Sequence, residues 1–280
     1  MTNFTQHLPT WLKRSLRIIL YWLLDTFDSL VGRNEAMIPP RMVSLIVGSG
    51  DFKKTGIVFL GYFIRYVGLR PDHHVLEIGA GYGRMALGLT NYITSPGSYD
   101  GIEIIKKAVD WSVREINSRY PHFRFHHADV HNRYSNQDGK KSAKEYLVPF
   151  SDNSFDVVIL TSVFSHMLPQ DINHYLSEIR RVLKVDGRCF ITYYLLDDYA
   201  EKQIQAHRAS QPFYHAFDGY LSTSRTTPEN TVAYPETTVR ELYARNGLKI
   251  EEPILYGSWS GRDNFLSYQD VVIARKELVL

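Results

Sequence analysis

The sequence predicts an α/β fold, a mostly parallel sheet with helices on both faces. Three observations carry this expectation. The apolar run Val75–Ile78 passes through a glycine-rich turn into a helical pattern at Arg84, which is how a βαβ unit begins. A second run, Ser154–Leu160, is apolar almost throughout, as a strand buried on both faces must be. Around these two runs, strand patterns alternate with helical ones up to about residue 196.

The chain has 280 residues, enough for one α/β domain with elaborations or a domain with a small subdomain. Hydrophobic residues make up 44% and charged residues 22%, ordinary values for a globular chain. A net charge of +2 gives no electrostatic footprint for nucleic acid. The single cysteine, Cys189, lies in an apolar run. It cannot form a disulfide within the chain, which suits a reducing compartment. The expected location is therefore the cytoplasm, with or without peripheral contact to a membrane.

Residues 1–45 read as an amino-terminal helical extension, ended by the helix-breaking Ile38-Pro39-Pro40. Leu12, Leu16, Ile19, Leu20, Leu23, Leu24, Phe27, Leu30 and Val31 share one broad helical face. Lys13, Arg14 and Arg17 stand near its start. No stretch reaches the roughly 18 uncharged apolar residues of a membrane span. Acids follow the apolar run without a small-residue cleavage site, so it does not read as a secretory signal. Two readings stand: a helix packed on its own domain or on a second copy, or one lying on a membrane surface. The remaining residues, 46–280, read as one catalytic domain. Gly48 to Phe52 is expected as a loop and Lys54–Tyr66 as a helix, with Asp51 and Phe52 placed to act as a lid.

Glu77-Ile78-Gly79-Ala80-Gly81-Tyr82-Gly83 is the sharpest motif. Glycines tolerate positive φ and let a ligand approach the backbone. A dinucleotide turn needs its third glycine where Arg84 stands, and a carboxylate at Glu77 would repel a pyrophosphate. The E-x-G-x-G-x-G pattern resembles motif I of the class I S-adenosylmethionine (SAM)-dependent methyltransferases. A second similarity is the pair F-D-V-V-I at Phe155–Ile159 and R-R-V-L-K-x-x-G-R at Arg180–Arg188. Together the resemblance spans about residues 70–196. It implies a Rossmann-like, seven-stranded methyltransferase sheet, SAM as cofactor and methyl transfer as the activity.

Arg84–Tyr92 is then the first helix of the domain, and Ser98–Ile104 the second strand. Glu103 at its end is 22 residues beyond Gly81 and can accept from two ribose hydroxyls. Ala108–Tyr120 is the next helix and 123–130 the third strand and its exit. In the resemblance, Asp129 binds the adenine amino group. The cofactor set is thus Glu77, Gly79, Ala80, Gly81, Gly83, Arg84, Glu103, Ile104, Asp129, Val130 and Thr161. His126, His127 and His131 beside Asp129 look like metal ligands, but adjacent strand residues point to opposite faces, so no metal is expected.

Residues 131–147 read as a polar insertion. Beyond the fourth strand comes Thr161 to Leu168, where a methyl group should meet its acceptor. Asp171–Leu183 is an amphipathic helix, Lys184–Gly187 a turn and Arg188–Leu195 the fifth strand. Residues 197–235 hold many aromatic residues and read as a cap over the acceptor. A helix through Asn246 follows, then two antiparallel strands, Leu248–Tyr256 and Tyr268–Arg275. Candidate acceptor-binding residues are Tyr82, Ser165, Tyr194, Tyr214, Trp259 and Arg262. His166 is the candidate general base. The sequence matches no adenine or amide N-methyltransferase motif after strand four. A small, apolar or amphiphilic acceptor is expected, and its identity stays open. Two other readings also stay open, a SAM-binding subunit without catalysis and an NAD(P)-dependent oxidoreductase.

Overall fold

The computed structural model describes residues 10–33, 35–43, 50–133 and 136–277. Gly48 and Ser49 of the expected loop, and residues 1–9 of the amino-terminal extension, lie outside them. Helix α1 (Thr10–Leu30) leads through a short turn at Arg41–Val43 to α2 (Phe52–Tyr62), which is continued by one wider turn to Val67. Then come β1 (His74–Ile78), α3 (Arg84–Leu89), β2 (Ser98–Glu103), α4 (Lys106–Ser112), β3 (Phe123–His127) and β4 (Phe155–Leu160). Helix α5 (Pro169–Val182) precedes β5 (Leu183–Tyr193).

Among the described residues the main sheet has seven strands. After β5 its members are β10 (Leu248–Ile250) and β11 (Asp270–Lys276), and the order is β10-β11-β5-β4-β1-β2-β3. Only β11 runs against its neighbours on both sides; β1 to β5 are parallel. The strand order reverses at β1, between β4 and β2. A crevice at the carboxyl ends of strands at such a point is where open α/β sheets bind ligands.

Alternation along the central strands builds a core on each face. Leu76, Val158 and Leu160 enter one cluster, with α5 and α7 (Glu236–Arg245). Val75, Val157 and Ile159 enter the other, with Phe63, Met85, Leu89 and Phe190. Both faces of β1 and β4 are dry, which explains why these segments read as continuous apolar runs.

The Lys184–Gly187 turn is found inside β5 rather than before it. Register against β4 slips there, from Phe155↔Leu183 to Val157↔Arg188, and Asp186 takes φ +60°. The turn is a bulge that lets one long strand begin earlier than its apolar pattern shows.

The insertion at 197–235 is itself structured. It carries α6 (Asp198–Gln205) and the strands β7 (His215–Phe217), β8 (Tyr220–Ser222) and β9 (Val232–Pro235). With β6 (Leu195–Leu196) these form a second sheet, ordered β6-β9-β8-β7. A small core fills behind it: Tyr194, Leu196, Ala200, Ile204, Phe213, Ala233 and Trp259.

Candidate active site

Beyond the carboxyl ends of β1, β2 and β4 lies a cleft of about 1370 Å³, roomier than the ~300–1,000 Å³ of a typical single-ligand pocket. Helix α2 roofs it with Phe52, Thr55 and Phe59. Two small residues allow this close approach. A Cβ on Gly56 would stand 2.5 Å from the Arg84 carbonyl oxygen, and one on Gly88 would stand 2.2 Å from that of Gly56. The expected lid residue Phe52 lies under the Arg84 guanidinium, 5.5 Å from ring centre to Cζ. Asp51 instead caps α2 by accepting from the Lys54 amide.

Gly79, Gly81 and Gly83 all take positive φ, at 82°, 52° and 73°. Their amides do not form an open anion nest. The Gly79 and Ala80 amides both donate to the Ile102 carbonyl, at 2.8 and 3.0 Å. The Gly83 amide donates to the Ala80 carbonyl. The Gly81 amide donates to Glu103 Oε2 at 2.7 Å. The expectation that a ligand would lie on free amides is thereby corrected. With these donors engaged inside the chain, a pyrophosphate has no cradle here, which counts against a nicotinamide dinucleotide. Gly79 is small for another reason: a Cβ there would stand 2.3 Å from Val163 Cγ2. Gly83 packs against Ile116 and does not line the cleft.

Two acids stand at the cofactor end. Glu103 also accepts from the Ile105 amide at 2.8 Å. Burial pushes its carboxyl up, while the backbone donors pull it back. Each oxygen keeps acceptor capacity for a further donor. Glu77 is 1% exposed and takes a hydrogen bond from the Tyr99 hydroxyl. Burial dominates there and raises its carboxyl to about 8. Burial lowers the pKa of Arg84, and Glu77 opposes that shift. Ile104, Ala128 and Val130 add apolar wall, and Thr161 stands at the end of β4. An adenosine with a charged amino-acid tail and no phosphate fits this donor and acceptor set.

Asp129 is half-buried beside the cleft rather than on its lining. Its carboxylate accepts from the Lys140 amide at 3.3 Å and its carbonyl from the Lys141 amide. It pins the 139–141 segment, which does line the cleft. The neighbouring histidines have separate partners: His126 with Asp100 at 2.8 Å, His127 with the Ile104 carbonyl and His131 with the Gln137 carbonyl.

The other end of the cleft gathers Tyr82, Ser165, His166, Asp171, Tyr175, Tyr194, Glu229 and Thr231. His166 Nδ1 lies 3.1 Å from the Glu229 carbonyl oxygen, and the Asn230 carbonyl also faces the ring. Burial lowers its pKa, so the ring is neutral near pH 7 and serves to tie the β4 loop to residues 229–230. Among the described residues, Ser165 Oγ and Glu229 Oε2 are buried without a hydrogen-bond partner. Burial, with Glu229 adding to it, raises the Asp171 carboxyl. Ser162, in the same loop, holds φ +58°, an uncommon conformation for a non-glycine residue.

Three expected acceptor residues lie elsewhere. Trp259 is fully buried, because its indole N–H donates to Asp270 Oδ2 at 2.7 Å while its rings pack on Tyr194 and Phe213. Arg262 pairs with Asp197 at 2.5 Å and lies between the rings of Tyr199 and Tyr256. Tyr214 is 53% exposed and bonds His207. Of the 197–235 insertion, only Glu229 and Thr231 reach the cleft. Of its aromatic residues, Phe213 enters the small core, Tyr234 joins the main core with Tyr220 packed against it, and Tyr199 and Tyr214 are exposed. Glu229, Asp171, Tyr175 and Ser162 were not legible as site residues, since no motif or period marks them.

Residues 76–191 match the family model described as "Methyltransferase domain". The chain is 27% identical over 209 residues to the uncharacterized methyltransferase YcgJ of Bacillus subtilis, covering 72% of this chain and 70% of that protein. It is 25% identical over 153 residues to the 2-phytyl-1,4-naphtoquinone methyltransferase of Trichormus variabilis, covering 54% and 57%. Among solved structures, magnesium protoporphyrin IX methyltransferase from Synechocystis PCC 6803, with bound SAH, shares the fold. The TM-score is 0.51 at 14% identity, over 85% of this chain and 92% of that one. Glycine turn, paired acids and strand order agree with this match: residues 76–191 form a SAM-dependent methyltransferase domain, with SAM as its cofactor.

Proposed function

We propose that this enzyme methylates a small, partly apolar molecule that carries a protic group. The observation that carries the reading is the continuity of one cleft. Glu77 and Glu103 line one end, Ser165 and Glu229 line the other, and apolar walls run along it. The cofactor supplies an activated methyl carbon when bound. The chain's part is to hold cofactor and acceptor in line and to keep water out. Glu103 would accept from the ribose hydroxyls, and Glu77 would face the ammonium. Ile104, Ala128 and Val130 would flank the adenine, and Asp129 would stand at its edge. Phe52 and Phe59 would cover the site.

At the acceptor end, Glu229 Oε2 offers a buried acceptor for an O–H or N–H of the substrate. A hydrogen bond there would orient the nucleophile and increase its electron density as the methyl transfers. Ser165 Oγ would complete that grip. His166 then orders the loop that presents Ser165, and the general-base role moves from His166 to Glu229. The quinone methyltransferase among the relatives supports an amphiphilic ring compound as the substrate class. The test is methyl transfer from labelled SAM to a panel of phenols, quinols and aromatic amines. A hit whose rate falls with Glu229→Gln supports the reading. SAM binding with no transfer to any of the panel would instead favour a non-catalytic SAM-binding subunit.

A further inference from the structure

Helix α1 is oriented unlike a helix that packs on its own domain. At 100° per residue, Arg17, Tyr21, Asp25 and Asp28 fall within a polar arc of about 80°, and apolar side chains, interrupted by Ser15, Thr26 and Ser29, occupy most of the remainder. The polar arc is the side fastened to the chain. The Asp25 carboxylate accepts from the amides of Arg41 and Met42, at 2.9 and 3.0 Å. The Arg41 guanidinium bridges Asp25 and Asp28, at 3.2 and 2.6 Å. The apolar arc faces outward, with Ile19, Leu20, Trp22, Leu23, Phe27 and Leu30 each more than half exposed.

We infer that α1 lies in the headgroup region of an anionic lipid bilayer, with Leu20, Leu23 and Phe27 among the acyl chains. Two features select a bilayer over a second copy of the chain. The apolar arc is far wider than the roughly 100° stripe that helix-on-protein packing uses, whereas a helix sunk into a lipid surface can bury a wide arc. The charges also match. Arg41 offsets one of the two charges of Asp25 and Asp28, and the sequence of the first turns, with Lys13, Arg14 and Arg17 and no acid, is positive. No helix among the described residues is long and apolar enough to cross a membrane, which fits a surface helix.

The attachment has a consequence for the cleft. Glu35, just after α1, pairs with Lys53 in the first turn of α2, and α2 carries the roof residues Phe52, Thr55 and Phe59. A bilayer-bound α1 would hold the roof side of the cleft toward the lipid, where an amphiphilic acceptor is concentrated. The membrane contact itself does not depend on which acceptor is methylated.

The test is co-sedimentation of the full chain with phosphatidylcholine vesicles with and without about a third phosphatidylglycerol. Leu20→Glu/Leu23→Glu and Arg17→Glu variants are run in parallel, with SAM titration as the control for folding. Expected are pelleting with the anionic vesicles, at least a tenfold loss in the double variant, a smaller loss in Arg17→Glu, and unchanged SAM affinity in all three. Equal pelleting of the wild type and the double variant overturns the inference, as does no pelleting of the wild type. A wild-type dimer in light scattering that the double variant splits, without vesicle binding, assigns the face to a second copy and also overturns it.

Discussion

Glu77 offers the most exacting test of the cofactor site, because its burial links stability, pH and binding. The perturbation is Glu77→Gln, which keeps the shape and removes the charge. In the protein without cofactor the carboxyl is raised from 4.5 to about 8, chiefly by burial. The folded state therefore keeps a proton that the unfolded chain gives up between about pH 4.5 and 8, so stability falls as pH rises through that window and levels off above it. From about pH 6 to pH 9, roughly two of those pH units are crossed. At 1.36 kcal/mol each, Glu77 costs the folded state about 2.5 kcal/mol over this range. Asp270, raised to about 7 by burial, slopes the same way, but it is present in both proteins and cancels in the comparison.

The assay is urea unfolding of wild type and Glu77→Gln without SAM at about pH 6 and pH 9. The wild type should lose about 2.5 kcal/mol more than the variant across the two conditions. An ammonium brought next to Glu77 favours its ionised form. SAM binding near pH 7 should therefore release close to one proton in the wild type and almost none in the variant, as read from titrations in buffers of different ionisation enthalpy. The variant should also bind SAM at least tenfold more weakly. Parallel pH profiles for the two proteins would refute the burial argument. Equal proton release and equal affinity would refute the ammonium contact.

The other predictions probe separate parts of the cleft. Glu103→Ala removes the partner of the Gly81 amide and the proposed partner of two ribose hydroxyls, and should weaken SAM binding by about two orders of magnitude, measured calorimetrically. Gly79→Ala meets both the positive φ and the Val163 methyl 2.3 Å away. It should cost about 2–4 kcal/mol of stability in denaturant unfolding. Trp259→Phe strips one donor from the buried Asp270. It should cost about 1–3 kcal/mol of stability and leave SAM affinity unchanged, whereas a weakened affinity would return Trp259 to the site. Once an acceptor is known, Glu229→Gln should lower its kcat/KM by about tenfold or more with SAM affinity intact. His166→Gln should lower it less, and a larger effect of His166→Gln would restore the imidazole as the base.

The cofactor half was legible because local patterning and double burial determine it. Val75, Leu76, Val157 and Val158 alternate between two dry cores. That requirement sets the strand register, and the register carries Glu77, Glu103 and Thr161 to the same edge of the sheet. The acceptor half follows from contacts that no period records. Trp259 and Arg262 have the composition of a binding wall, yet their positions are decided by Asp270, 11 residues away, and Asp197, 65 residues away. Each carboxylate recruits the nearest strong donor into the satellite core, so the polar atoms that suggested a ligand are used up by the fold. Glu229 is the opposite case. It sits in an unpatterned Pro-Glu-Asn segment, its backbone carbonyl meets His166, and its Oε2 is buried without a hydrogen-bond partner among the described residues. A buried carboxylate oxygen left without a donor is costly, and a substrate O–H or N–H would supply a partner for Oε2.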